Sequence, residues 1–152
     1  ADGTSVLDET ARYTPGRQPE IIAVDGWLIG LSICYDLRFP ELYRCYLGVD
    51  LILCTSEFTW KTGRVHWATL LQARAIENQC YIAGVNQCGI NRSVGIKAYG
   101  HSIVYGPWGE TVVEAGAKAT LLHAELTRPP LERVRSMVPV RNAVQGQIRW
   151  GR

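Results

Sequence analysis

The residues of this sequence with the most distinctive chemistry are its five cysteines. Cys34 ends the apolar segment Trp27–Cys34 and precedes Pro40 and Glu41, which are typical of a first helical turn. A cysteine between a strand and a helix can act as a nucleophile, because the turn exposes its side chain and a helix N-terminus lowers a thiol pKa. The alternative is a buried core thiol. Position alone favours that alternative, since free cysteine is among the most buried residue types.

The other potentially reactive side chains predict no bound cofactor. Cys54 and Cys80 lie within or beside predicted strands and are interpreted as core residues. An odd number of cysteines without a CxxC pair favours reduced thiols over a disulfide framework. His101 and His123 have no cysteine or carboxylate at metal-ligand spacing, and no glycine-rich phosphate loop is present. We therefore expect no metal, no nucleotide and no other cofactor.

Hydrophobic patterning predicts the strands and helices that must position Cys34. Apolar runs predict strands over Ile21–Val24, Trp27–Cys34, Asp50–Cys54, Tyr81–Val85, His101–Tyr105, Thr111–Glu114 and Ala119–Leu126, the last three antiparallel. Helical spacing predicts an amphipathic helix from Val65 to Asn78 and a short helix from Leu131 to Met137. Between the strands predicted over Tyr81–Val85 and His101–Tyr105, residues 86–98 are predicted as a loop. Alternating strands and helices of this kind indicate an α/β layered domain.

A polar loop is predicted from Thr55 to Arg64, and three of its residues have two alternative roles. Phe58, Thr59 and Trp60 either line a substrate pocket or cover a sheet edge, and the sequence favours neither role.

Length and composition exclude several classes of protein. The chain has 152 residues, enough for one domain, and 47% of them are hydrophobic. This composition excludes an intrinsically disordered protein. Sixteen basic and fourteen acidic residues leave a net charge of +2, so no nucleic-acid-binding surface is predicted. No apolar run approaches the roughly 20 residues of a membrane span, and residues 1–5 do not begin a secretory signal. We therefore expect no membrane partner and a cytoplasmic location.

The sequence around Cys34 resembles the nucleophile motif of the nitrilase superfamily, the carbon–nitrogen hydrolases. The motif extends from Ile33 to Leu42, and further matches follow in the family's order. They comprise Phe58, Thr62-Gly63, His66-Trp67, Leu71, residues 73–79, residues 99–102 and residues 107–110. Glu9, Tyr13, Pro15 and Gly16 fit the stretch before the nucleophile strand, and residues 134–140 fit the family's C-terminal segment. The string Arg38-Phe39-Pro40-Glu41 after the Cys-Tyr-Asp triplet is most similar to the omega-amidase branch.

The resemblance implies roles for three residues and a fold. Cys34 would attack an amide carbon, the backbone N–H of Tyr35 would complete an oxyanion hole, and Glu9 would position the substrate or the attacking water. The implied fold is the nitrilase-type α-β-β-α sandwich, in which two sheets pack together under outer helices and protomers commonly associate. Residues 1–152 would supply about the second half of that domain.

One departure from the family pattern concerns catalysis directly. The family's general-base glutamate and its oxyanion-stabilising lysine both correspond to positions before Ala1, and Glu20, Lys61 and Lys97 do not occupy the matching motifs. Losing one oxyanion donor alone costs roughly 100- to 1000-fold in rate. We therefore expect the chain alone to be nearly inactive. We also expect it to expose apolar surface, and to form a homo-oligomer or to associate with the missing N-terminal half.

Three hypotheses for function follow. The first is an amidase that releases ammonia from a small linear amide through an acyl thioester on Cys34. An omega-amide of a dicarboxylate is the best fit, and other small amides, including deaminated-peptide amides and N-carbamoyl compounds, remain open. The second is a catalytically incomplete fragment or a partner-binding subunit. The third is a Cys-His hydrolase in which His66 acts as the base. It ranks last, because a histidine on a helix turn is more often a packing residue than a catalyst.

Overall fold

In the computed structural model, residues 13–93 and 95–141 are described, and they form a mixed α/β domain. The strands are β1 (Glu20–Val24), β2 (Trp27–Ile33), β3 (Leu51–Ser56), β4 (Tyr81–Asn86), β5 (Cys88–Asn91), β6 (Ile96–Tyr99), β7 (Ile103–Tyr105) and β8 (Thr111–Glu114). The helices are a 3₁₀ helix (Cys34–Arg38), α1 (Pro40–Cys45), α2 (Trp60–Asn78) and α3 (Arg128–Met137). No helix among these residues is long and apolar enough to cross a membrane.

A six-stranded sheet in the order β1-β2-β3-β4-β7-β8 forms the centre of the fold. Strands β2, β3 and β4 are parallel, and the three remaining pairings, β1–β2, β4–β7 and β7–β8, are antiparallel. The β1–β2 hairpin turns at Asp25 and Gly26, which both have positive φ, as a two-residue hairpin requires. The carboxyl ends of β2, β3 and β4 therefore meet at one edge of the sheet, where Cys34 follows β2.

The two faces of this sheet differ in how they are covered. We use "covered face" for the side that packs against α1 and α2, formed by Gly30, Ser32, Ile52, Cys54, Ile82 and Gly84. We use "open face" for the side formed by Ile29, Leu31, Ile33, Leu53, Ala83 and Val85. The six side chains named on the open face are apolar, and the polar Thr55 lies between Ile33 and Val85. All seven are half-buried or exposed.

Helix α2 covers the sheet because its first turns are capped and its inward side is closely packed. The Thr59 side chain caps the helix by accepting from the N–H of Thr62. Gly63 lies against Tyr99, since an added Cβ would come within 2.4 Å of the Tyr99 ring. Trp67 and Leu71, both fully buried, lie over Gly84 in the same way.

Helix α3 is attached to the sheet through Arg135. The guanidinium donates to the carbonyl of Val49 at 2.6 Å and to that of Gln79 at 3.2 Å, and it pairs with Asp50 at 3.5 Å. Gln79 adds a bond from its side-chain amide to the carbonyl of Val138 at 2.6 Å. These contacts join the helix to the β2–β3 and α2–β4 connections.

Three sequence-based assignments were wrong. The loop expected from Thr55 to Arg64 is only three residues long, because β3 continues to Ser56 and α2 begins at Trp60. The loop expected over 86–98 contains the β5–β6 hairpin. The expected strand Ala119–Leu126 has alternating exposure, but no ladder partner is present among the described residues.

Candidate active site

Cys34 occupies a sharp turn between β2 and the 3₁₀ helix. Its φ of +44° lies in the left-handed region, which is unusual for a side chain other than glycine. Such backbone strain concentrates at functional sites, and a strained strand-to-helix turn is the arrangement that presents a nucleophile. The structure therefore favours the nucleophile interpretation of Cys34 over the core-thiol alternative.

Hydrogen bonds from three directions fix this turn. Asp36 closes it from within, because its carboxylate accepts from the backbone N–H of Ile33 at 2.8 Å. Arg74, on α2, donates to the carbonyl of Leu37 at 2.9 Å and lies over the ring of Tyr43. Tyr43 in turn bonds Ser32 at 2.7 Å, and burial raises the pKa of its hydroxyl well above the ordinary value. The turn is thus anchored to both the sheet and α2.

Cys34 lines an open groove of about 420 Å³ at the carboxyl edge of the sheet. The groove is formed by the ends of three adjacent parallel strands, and its lining residues are Ile33, Cys34, Thr55, Ser56, Glu57, Val85, Asn86 and Gln87. Ligands of α/β sheets commonly bind at this edge of parallel strands. Sequence analysis did not identify Glu57, Asn86 or Gln87. They lie directly after β3 and at the end of β4, and the parallel order of β2, β3 and β4 brings them to the groove beside Cys34.

Asn86 holds the walls of the groove in place. Its side-chain oxygen accepts from the N–H of Phe58 at 2.8 Å, and its amide donates to the carbonyl of Gly100 at 2.8 Å. The N–H of Gln87 bonds the carbonyl of Ser56 at 2.9 Å. The loops after β3 and β6 are therefore fixed relative to the end of β4.

The three residues predicted to bind substrate have structural contacts and are not among the residues that line the groove. Phe58 is buried against Trp67, with ring centroids 5.0 Å apart. Thr59 is the cap of α2, and Trp60 lies beside Tyr99 with the Lys97 ammonium 4.2 Å from its ring centroid. Their part in substrate binding stays a prediction.

His66 is paired with Arg38. The guanidinium donates to Nδ1 of His66 at 3.2 Å, so this imidazole nitrogen is an acceptor and the ring is positioned by a cation. His66 is also not among the residues that line the Cys34 groove. These contacts favour a packing role for His66 over that of a base for Cys34.

The remaining predicted site residues divide into described and undescribed ones. The Tyr35 N–H lies in the first turn of the 3₁₀ helix, where N–H groups have no partner within the helix. Glu9 lies outside the described residues. Cys54 and Cys80 are fully buried as predicted, and burial raises the pKa of Cys80 to about 12. Over residues 13–93 and 95–141, no three His, Cys, Asp or Glu side chains form a group that could hold a metal ion.

Comparisons with known proteins agree with this architecture. The carbon–nitrogen hydrolase family model matches residues 4–136. The deaminated glutathione amidase of Synechocystis is 39% identical over 142 residues, which cover 91% of this chain and 52% of that protein. Omega-amidase NIT2-A of Xenopus laevis is 35% identical over 137 residues, covering 89% of this chain and 49% of that protein. The chain thus spans about half the length of these curated relatives.

A solved structure gives the same result for the fold. The crystal structure of XC1258 from Xanthomonas campestris, a CN-hydrolase superfamily protein, superposes with a TM-score of 0.84 at 29% identity. The match covers 95% of this chain and 56% of that one. The chain belongs to the carbon–nitrogen hydrolase family of the nitrilase superfamily and has the fold of that superfamily.

Proposed function

We propose that this chain carries the nucleophile of an amidase that hydrolyses a small linear amide, with an omega-amide of a dicarboxylate as substrate. The observation that carries the proposal is the strained turn at Cys34, which presents the thiol to an open groove at the carboxyl ends of three parallel strands. Family membership supports the reaction type, and the similarity to omega-amidase NIT2-A supports the substrate.

The proposed reaction has two steps. The Cys34 sulfur forms a bond to the amide carbon, and the carbon–nitrogen bond then breaks, so that ammonia leaves with the thiol proton and an acyl thioester remains. Water adds to the thioester carbon, the carbon–sulfur bond breaks, and the carboxylic acid and the free thiol are released. In both steps the Tyr35 N–H would donate to the negative charge that develops on the carbonyl oxygen.

The proposed catalytic unit includes groups beyond the described residues. Glu9 is proposed to position the substrate amide or the water, as the family resemblance implies. A general-base carboxylate and a lysine would come from a segment equivalent to the N-terminal half of the relatives. The chain spans only about half of their length.

The open face of the sheet supports a partner layer of this kind. Ile33 is 68% exposed and Val85 is 53% exposed on this apolar face, at the same end of the sheet as Cys34. Strands that are apolar on both faces are typical of sheets with both faces covered. We propose that an N-terminal half with a second sheet packs on the open face, and that complete units form a homo-oligomer.

The second candidate is an incomplete subunit that binds a partner without hydrolysing amides. The same exposed face supports it, because an unpaired apolar surface favours association whether or not catalysis follows.

Ammonia release from glutaramate, measured on the protein expressed from its complete coding region, tests the first candidate. Cys34→Ala should lower the rate at least about 1000-fold, because no other group replaces the nucleophile. Cys45→Ala is the matched control, since Cys45 is exposed on α1 and is not among the residues lining the groove. Undiminished release by Cys34→Ala would exclude the mechanism. A folded wild-type protein that releases no ammonia from any amide would favour the incomplete subunit.

A further inference from the structure

The groove contains one ionisable carboxylate beside the thiol. Ile33 pairs with Thr55 as the last pair of the β2–β3 ladder. Cys34 follows Ile33 along the chain, and Ser56 and Glu57 follow Thr55. Adjacent strands are about 4.8 Å apart. Cys34 and Glu57 both line the same groove, and among the described residues that line it Glu57 alone is charged.

Glu57 is held in place by a neutral donor. The side-chain amide of Asn91, on β5, donates to the two carboxylate oxygens at 3.1 and 3.4 Å. Among the described residues, no Lys, Arg or His nitrogen lies within 4.0 Å of the Glu57 carboxylate. Its negative charge is therefore fixed in position and is not neutralised by an ion pair.

We propose that Glu57 sets the charge selectivity of the Cys34 groove, so that the site disfavours substrates with a second negative charge close to the scissile amide. At a separation of about 7 Å in a largely aqueous groove, one unit charge changes the local concentration of a monovalent ion by about threefold. The effect on a bound anion increases as the charges approach each other.

For the proposed amidase, this charge selectivity depends on the length of the dicarboxylate substrate. The carboxylate of an omega-amide substrate lies closer to the amide in a short dicarboxylate than in a long one. Glu57 therefore penalises malonamate most, succinamate less and glutaramate least. This part of the inference rests on the proposed function, whereas the charge beside Cys34 does not.

Alkylation of Cys34 tests the charge without any need for turnover. Iodoacetate is anionic and iodoacetamide is neutral, and the two are similar in size. Site-resolved mass spectrometry of the chain gives the ratio of their rates at Cys34 and, as an internal reference, at the exposed Cys45. Glu57→Gln, which can still accept from Asn91, should raise the ratio at Cys34 about threefold and leave the ratio at Cys45 unchanged. Glu57→Asp keeps the charge and should resemble the wild type.

A second measurement needs no variant. Raising the ionic strength from about 0.01 to 1 M shortens the Debye length from about 30 to 3 Å and should raise the iodoacetate-to-iodoacetamide ratio at Cys34 in the wild-type chain. A ratio that is flat with salt, or one that Glu57→Gln changes equally at Cys34 and Cys45, would overturn the proposal.

Turnover then tests the substrate part. In the protein expressed from its complete coding region, Glu57→Gln should raise kcat/KM about threefold for malonamate and little for glutaramate or the neutral propionamide. A length profile that Glu57→Gln leaves unchanged would overturn this part. Absence of turnover with every amide, charged or neutral, would instead count against the proposed function, and the alkylation ratio would still decide the role of Glu57.

Discussion

The two faces of the central sheet have similar apolar composition and opposite exposure. On the covered face, Ile52, Cys54 and Ile82 have no exposed surface, whereas on the open face Ile33 and Val85 are more than half exposed. The segment before α3 contacts the amino end of the open face, where Tyr81 donates to the carbonyl of Thr127. These strands therefore have the composition of a sheet with two covering layers, and one such layer is present among the described residues.

Placing a lysine on each face in turn should give the largest difference in the free energy of unfolding between the two faces. Ile52→Lys buries an ammonium under α2 and should cost more than about 4 kcal/mol, enough to unfold the chain. Leu53→Lys lies on the half-buried open face, where the charged end can reach water, and should cost less than about 1 kcal/mol. Urea unfolding followed by circular dichroism measures both.

The variants Ile52→Lys and Leu53→Lys also test the proposed partner layer. Leu53→Lys should abolish association through the open face in sedimentation velocity, and within a complete two-sheet protein it should become as damaging as Ile52→Lys. Equal destabilisation of the chain by both variants would mean that the two faces do not differ.

Substitutions that add methyl groups should give a smaller difference in the free energy of unfolding between the two faces. At Gly84 a Cβ would come within 2.4 Å of Leu71 and 2.7 Å of Trp67. Gly84→Ala should therefore destabilise by about 2 to 3 kcal/mol through overpacking. Ala83→Val adds two methyl groups on the open face and should change the free energy of unfolding by less than about 0.5 kcal/mol. Thermal melts of the two variants provide the measurement, and a stable Gly84→Ala would show that α2 packs less closely than described.

The smallest change in stability is expected at Cys34, directly after the end of β2. Cys34 has φ of +44°, which glycine adopts without strain, so Cys34→Gly should stabilise the chain by about 1 kcal/mol relative to Cys34→Ala. Comparing the urea midpoints of these two variants checks this, since both lack the thiol. Equal midpoints would indicate that the turn stores no strain.

Much of the fold could be predicted because local pattern and tertiary structure agree. The hairpin at Asp25 and Gly26, the buried strands β3 and β4, and most of α2 all follow the hydrophobic period. The first turn of α2 was missed because Gly63 is buried against Tyr99, a contact between residues far apart in sequence. The segment 119–126 alternates in exposure as a strand would, but a ladder also needs a neighbouring strand, which periodicity cannot reveal.

The candidate site was predictable to a lesser extent. Motif similarity identified Cys34, and the structure adds the strained turn that position alone did not indicate. Glu57 and Asn86 were missed because they join Cys34 only through the parallel order of β2, β3 and β4. Strand order is a property of the sheet, and single-sequence patterns do not contain it.

The attachment of α3 through Arg135 has a consequence for how the chain opens. A helix of ten residues is shorter than the roughly 12 to 15 that persist in isolation, so α3 depends on its contacts for its helicity. Arg135 and Val49 are 86 residues apart in sequence, yet opening the β2–β3 connection removes a carbonyl that the helix needs. The amide protons of α3 and of that connection should therefore exchange with solvent as one cooperative unit, although they belong to opposite ends of the described chain.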